Sequence, residues 1–270
     1  MIRDIRTFTS KDFIHWTDSV MLRFPRATDD SLYTNQIAPY YRAPHIFIGC
    51  PVRYRERAWD DHYKNLPQYE HRERRTQSNV RYGSAITDTL FMPSRDGHSF
   101  ERWNESFLRP GPQHPNNWAY GDHYMAWHAV ETASSIPGAP NEISLYASEN
   151  YWTGKTSQLR RYSLSVDGFV SVAGPMKEGE LLPLLFIFTG ESLEINFATS
   201  AAGSIRIEVQ NSAGSPLDGF TMEDSFEIFG DQPNRRVEWK GGVQVGTLAG
   251  EPVRLQFVMK DANLYSLRFR

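Results

Sequence analysis

The feature that most constrains this chain is a period-two alternation of apolar and polar residues. It is plain in Glu142-Ile143-Ser144-Leu145-Tyr146-Ala147 and in Leu159-Arg160-Arg161-Tyr162-Ser163-Leu164. It recurs in Leu193-Glu194-Ile195-Asn196-Phe197, in Ser204-Ile205-Arg206-Ile207-Glu208-Val209 and across 253–259. Successive side chains of an extended strand point to opposite faces, so this pattern suits half-buried antiparallel strands. Ala43-Pro44-His45-Ile46-Phe47-Ile48-Gly49 is a short apolar run bounded by Pro and Gly, and reads as a further strand. Turn signals fall between these segments at Asp96-Gly97, Asp167-Gly168, Ser212-Ala213-Gly214 and Gly241-Gly242. No long amphipathic helix is evident, so the expected fold class is all-β. Residues 53–81 are charge-dense and lack strand periodicity, which reads as a solvated insertion, partly helical.

An imperfect repeat adds architecture. Ser10-Lys11-Asp12-Phe13-Ile14-His15-Trp16 and Ser94-Arg95-Asp96-Gly97-His98-Ser99-Phe100 both carry Ser, any residue, Asp, then an aromatic four residues on. Val166-Asp167-Gly168-Phe169-Val170 is a weaker third copy. The Asp accepts hydrogen bonds from its own turn, and Gly supplies positive φ. One hairpin device used repeatedly is the mark of a propeller. Because they repeat, Asp12, Asp96 and Asp167 are scaffold residues and not catalysts. From about residue 180 the Trp-rich loops give way to regular strands with Gly-rich turns, which suit a β-sandwich. The expectation is a partial, incomplete five-bladed-type β-propeller over 1–178 and a C-terminal β-sandwich over 179–270, joined near 174–180.

Charge and composition narrow the function classes. A net charge of −3 gives no strong field toward nucleic acid or anionic lipid. No apolar run approaches the roughly 18 residues of a membrane span. The single cysteine, Cys50, cannot form an intrachain disulfide and reads as a buried small hydrophobe. The start, MIRDIRTFTSKDF, has no signal-peptide core, so localisation stays open and a parent protein could be exported. Aromatic residues make up 13% of the chain; most are expected in strands and core, and the rest offer flat faces for sugar rings. No GxSxG elbow, P-loop or dinucleotide fingerprint is present, and no histidine cluster has zinc spacing. No cofactor is expected. The acidic stretch Glu223, Asp224, Glu227, Asp231 offers calcium-type oxygen ligands, at a spacing unlike that of a calcium loop.

Ser94-x-Asp96-Gly97-x-x-Phe100 followed by Trp103 resembles the blades of the five-bladed glycosidases of families 32, 43 and 68. More specifically, Leu32-Tyr33-Thr34-Asn35, Pro39-Tyr40-Tyr41-Arg42-Ala43-Pro44-His45-Ile46, 143–149 and Leu159-Arg160-Arg161-Tyr162 are similar to bacterial family-32-N-terminal-like hydrolases. In the last third, 199–206, Glu227-Ile228-Phe229-Gly230-Asp231 and 260–266 continue the likeness. The resemblance implies a carbohydrate-active hydrolase whose site lies in a propeller funnel. It also implies further blades ahead of residue 1, including the one that bears the first catalytic aspartate in those families. A closed ring takes roughly 250–300 residues, more than precede the expected sandwich.

Glycoside cleavage uses two carboxyl groups, about 5 Å apart for retention and roughly 6.5–9.5 Å for inversion. Glu149 is the leading candidate for the acid, because it ends a strand and opens the aromatic loop Asn150-Tyr151-Trp152. Asp122 and Glu131 flank the aromatic segment 118–128 and are candidates for the second carboxylate. Arg42 and His45 border a Tyr-rich strand entry and could hold sugar hydroxyls, while Trp118, Trp127 and Trp152 could stack on pyranose faces. The alternatives are a non-catalytic glycan-binding or structural fragment of a longer glycosidase, and a hydrolase of another bond such as an ester. Open sheet edges in an incomplete ring are a route to a homo-oligomer.

Overall fold

The computed structural model describes residues 3–115, 117–151 and 157–270. The chain is all-β, and helix is confined to short segments. It divides into two compact units, 1–130 with 144–163, and 131–143 with 164–270.

The first unit is built from small antiparallel sheets. β1 (Arg6–Thr7) pairs with β2 (Val20–Met21), and the turn Ser10–Trp16 lies between them. β3 (Ser31–Leu32), β4 (Ala38–Tyr40), β5 (Ala43–Gly49) and β6 (Val52–Arg55) follow. Two helices, α1 (Tyr69–Thr76) and α2 (Arg81–Ser84), lead to β7 (Ile86–Thr89) and β8 (Met92–Ser94). The sheet orders are β3-β6-β7 and β4-β5-β8. A further sheet has the order β11-β10-β9, with β9 at Val130–Thr132, β10 at Glu142–Glu149 and β11 at Gln158–Ser165, and only Val130, 144–149 and 158–163 of it are counted in the first unit. Ile5, Leu22, Leu32, Leu90, Met92 and Phe100 form one buried cluster of this unit.

The repeated turn is reproduced bond for bond. Ser10 Oγ accepts from Asp12 N (3.3 Å) and Phe13 N (2.8 Å), as Ser94 Oγ does from Asp96 N (3.2 Å) and Gly97 N (3.0 Å). Asp12 Oδ1 accepts from Ile14 N and His15 N, as Asp96 Oδ1 does from His98 N and Ser99 N. Those donors hold the Asp96 carboxyl down at about 2. The residue after the Asp is left-handed in both copies, Phe13 at φ 62° and Gly97 at φ 70°, so the first copy places a bulky side chain where glycine is free of strain. The third copy differs. Asp167 itself is left-handed, at φ 57°, and its Oδ2 accepts from Ser266 Oγ at 3.0 Å. It shares the Asp-Gly turn chemistry, with Gly168 N donating to Ser165 O at 2.9 Å.

The segment 53–81 is mostly exposed and holds α1 and the start of α2, as a solvated, partly helical insertion would, with Arg53 and Arg72 as its buried exceptions. Arg53 sits on β6 with its side chain 2% exposed, and Asp88 on β7 meets it with two bonds, Nε to Oδ1 at 2.9 Å and Nη2 to Oδ2 at 2.7 Å. Arg53 Nη1 also donates to Asn104 O at 2.7 Å. Arg102, 1% exposed, reaches Asp30 Oδ2 at 3.0 Å, and Arg53 lies 3.8 Å from the same oxygen. At Arg53 the charge enters a paired, buried network with residues outside the segment.

The second unit centres on one antiparallel sheet of order β12-β16-β14-β15, with β13 also on β16. Its strands are β12 (Val172–Gly174), β13 (Gly179–Leu181), β14 (Leu193–Gln210), β15 (Asp231–Arg236) and β16 (Arg254–Phe269). The segments 193–197 and 204–209 are a single strand, interrupted by a register shift between Thr199 and Ser204. Such shifts sharpen twist, and the sheet curls into a half-barrel. Its core packs Ile195, Phe197, Ile205, Ile207, Leu255 and Phe257, all essentially inaccessible, with Phe220 and Trp239.

Candidate functional site

Two chain segments of the first unit set the candidate site. His123 N donates to Ser148 O at 2.7 Å, and Ser148 N donates to Tyr124 O at 3.1 Å. Met125 and Ala147 form an antiparallel bridge. Asp122 lies one step before this ladder on one segment and Glu149 one step after it on the other, so the backbone brings the two carboxyls to the same end. Sequence reasoning names both residues; the ladder is what joins them.

The loop bearing Asp122 is held from several sides. Thr87 Oγ1 on β7 accepts from Gly121 N (3.0 Å) and donates to Asp122 O (2.7 Å). Arg72 on α1 donates to Trp118 O and Asn117 O, each at 2.8 Å, and to Pro67 O at 3.1 Å. Gly121 has φ +98°, and a Cβ there would lie 1.9 Å from the Tyr151 ring, so only glycine fits. With the ring in place, Tyr151 N donates to Asp122 Oδ1 at 3.0 Å.

Asp122 is 1% exposed, and its Oδ2 has no hydrogen-bond partner among the described residues. Burial raises its carboxyl from the ordinary 3.8 to about 6; the charge of Glu149 adds to the rise, and the backbone donors and Arg72 oppose it. His123 is 3% exposed, and burial pushes its imidazole below the usual range. Glu149 stands in a different environment. Its Oε1 accepts from Tyr162 Oη at 2.5 Å and its Oε2 meets Arg160 Nε at 2.8 Å. Burial and this bond raise the Tyr162 phenol. Arg160 and Tyr162 are two apart on β11, hence on one face of it. Sequence reasoning finds that strand but misses these two residues as carboxylate partners, although their spacing carries the signal. A tyrosine cluster of Tyr33, Tyr54, Tyr120 and Tyr124 lies in the same unit, with ring centroids 5.4–6.4 Å apart.

The other candidates are dispersed. Trp118 is half-buried, and its Nε1 donates to Gly111 O at 2.9 Å. Trp127 is 63% exposed, with its ring 4.6 Å from that of His128. Arg42 is half-buried in the turn between β4 and β5, and His45 is exposed on β5. Glu131 belongs to the second unit, where its Oε1 accepts from Asn141 Nδ2 at 2.9 Å. Trp152 lies outside the described residues. Of the acidic stretch 223–231, Asp224 Oδ2 is taken up by Thr221, at 3.2 Å from N and 2.8 Å from Oγ1. No group of three or more His, Cys, Asp or Glu among the described residues is gathered to hold a metal.

No family model matches this chain, and no curated protein matches it. Among solved structures, it is similar to a glycoside hydrolase family 43 arabinoxylan arabinofuranohydrolase from Bacillus subtilis, solved in complex with cellotetraose. The identity is 10% and the TM-score 0.23, over 98% of this chain and 47% of that one. This chain thus spans about half the length of that enzyme. A likeness so slight decides neither the family nor the chemistry, which rest on the residues themselves.

Proposed function

We propose that the chain is carbohydrate-active, and that its first unit carries the carboxyl pair Asp122 and Glu149 of a glycosidic-bond hydrolase. The observation that carries this reading is the division of environments: one carboxyl is buried with a raised pKa, and its neighbour is ion-paired with an arginine. A carboxyl that burial keeps protonated, beside one held by an arginine, suits a division of acid and base work between them. Asp122, and not Glu149, then suits the acid, since it keeps its proton toward neutral pH and its Oδ2 has no hydrogen-bond partner among the described residues. Glu149, oriented by Arg160 and Tyr162, suits the base or nucleophile. The motif likeness to five-bladed glycosidases supports the same reading, with blades over 1–178 and a sandwich over 179–270. Arg42, His45, Trp118, Trp127 and Trp152 are its candidate sugar contacts.

The test is hydrolysis of a panel of aryl glycosides and polysaccharides by the wild type and Glu149→Gln. The expected result is turnover of at least one substrate, reduced about a hundredfold or more in the variant. Equal turnover in both proteins, or none in either, contradicts it. The second reading, a non-catalytic glycan binder, is favoured by Trp127, whose exposed indole offers a stacking face without any carboxylate chemistry.

A further inference from the structure

The second unit has a cleft of about 320 Å³ that the carboxyl-pair reading does not use. Its lining includes Phe226, 47% exposed, and part of the buried Trp239. Around these stand Glu191, Glu238, Arg236 and Gln244. Arg236 Nη2 donates to Gln244 Oε1 at 2.9 Å, so the guanidinium and the amide are held as one group. One wall is the backbone of Gly241 and Gly242, at φ 84° and 72°, where a Cβ would meet nothing within 4 Å. A ligand can therefore approach the main chain closely there.

The chemistry of the lining selects a ligand class. Two carboxylates against one guanidinium leave the cleft negative, which disfavours phosphates, nucleic acid and acidic glycans. Carboxylate oxygens accept from hydroxyls, while guanidinium and amide donate to them. An exposed aromatic face set among Val237, Val243, Val245 and these polar groups matches a molecule with one apolar face and a hydroxylated rim. We infer that this cleft is a binding subsite for a neutral oligosaccharide, separate in the chain from Asp122 and Glu149.

The experiment is calorimetric titration of the full chain with cello-, xylo-, manno- and laminari-hexaose, and with hexagalacturonate as the acidic probe. At least one neutral hexasaccharide is expected to bind. Phe226→Ala should weaken it about tenfold, Gln244→Ala should weaken it several-fold, and Glu178→Ala, an exposed residue outside the cleft lining, should leave it unchanged. Phe226 is a surface residue, so its variant is expected to keep the wild-type circular dichroism and melting curve. The inference is overturned if no neutral probe binds, if Phe226→Ala and Gln244→Ala bind like the wild type, or if hexagalacturonate binds as tightly as the neutral probes. Loss of binding in Glu149→Gln but not in Phe226→Ala also overturns it, and moves the site to the first unit. Failure of hydrolysis with binding at Phe226 intact would count against the carboxyl pair alone.

Discussion

Asp88→Ala is expected to destabilise the first unit by about 3–5 kcal/mol in urea unfolding. Arg53 is 2% exposed and receives two hydrogen bonds' worth of charge compensation from Asp88. Its other partners, Asn104 O and Ser106 Oγ, are neutral, and Asp30 lies farther off at 3.8 Å. Without Asp88 the buried guanidinium keeps only the more distant carboxylate of Asp30, and removing one partner of a buried pair costs far more than the intact pair contributes. Asp30 is shared with Arg102, so it cannot serve both arginines equally. A surface pair gives the control. Glu178→Ala, which releases Arg206 at 3.4 Å, should change stability by less than about 0.5 kcal/mol. Similar losses for the two variants would mean that the Arg53 network is solvated in solution.

The second large effect is on pH dependence. Asp122 holds its proton to about 6 in the folded chain, against 3.8 ordinarily. Below 3.8 both folded and unfolded chains carry this proton, so the group costs nothing. Between the two values the unfolded chain releases the proton and the folded chain keeps it, so stability falls as pH rises. Above about 6 the loss is complete, at about 3 kcal/mol. Asp122→Asn cannot ionise and should lack this loss. The variant therefore gains on the wild type by about that amount between pH 4 and pH 7, whatever constant penalty its buried amide adds. Parallel stability curves for the two proteins over that range would remove the case for a raised Asp122.

Strand positions are legible in the sequence because period-two alternation is local. The run Ala43–Gly49 is β5 residue for residue, and the alternation from Glu142 extends to Glu149 as β10. The Ser-x-Asp turn is legible for the same reason, since its bonds close within the repeated residues. Burial of charge is not local. Arg53 reads as solvated until Asp88, 35 positions on, is placed beside it by the β6-β7 pairing. Likewise nothing near 193–209 shows that two alternating runs join across a register shift. At the candidate site, sequence supplies Asp122 and Glu149 as residue types at the borders of aromatic loops. Their difference in environment comes from Tyr151, Arg160 and Tyr162, all brought in by the fold.

The division of protonation between Asp122 and Glu149 is tested most directly by carbon-13 NMR titration of the Asp122 carboxyl, in the wild type and in Glu149→Gln. A wild-type midpoint at about 6 is expected, moving down in Glu149→Gln because the neighbouring negative charge is gone. A midpoint in the ordinary carboxylate range, near 4, with no response to Glu149→Gln, would contradict the assignment of Asp122 as the acid of the pair.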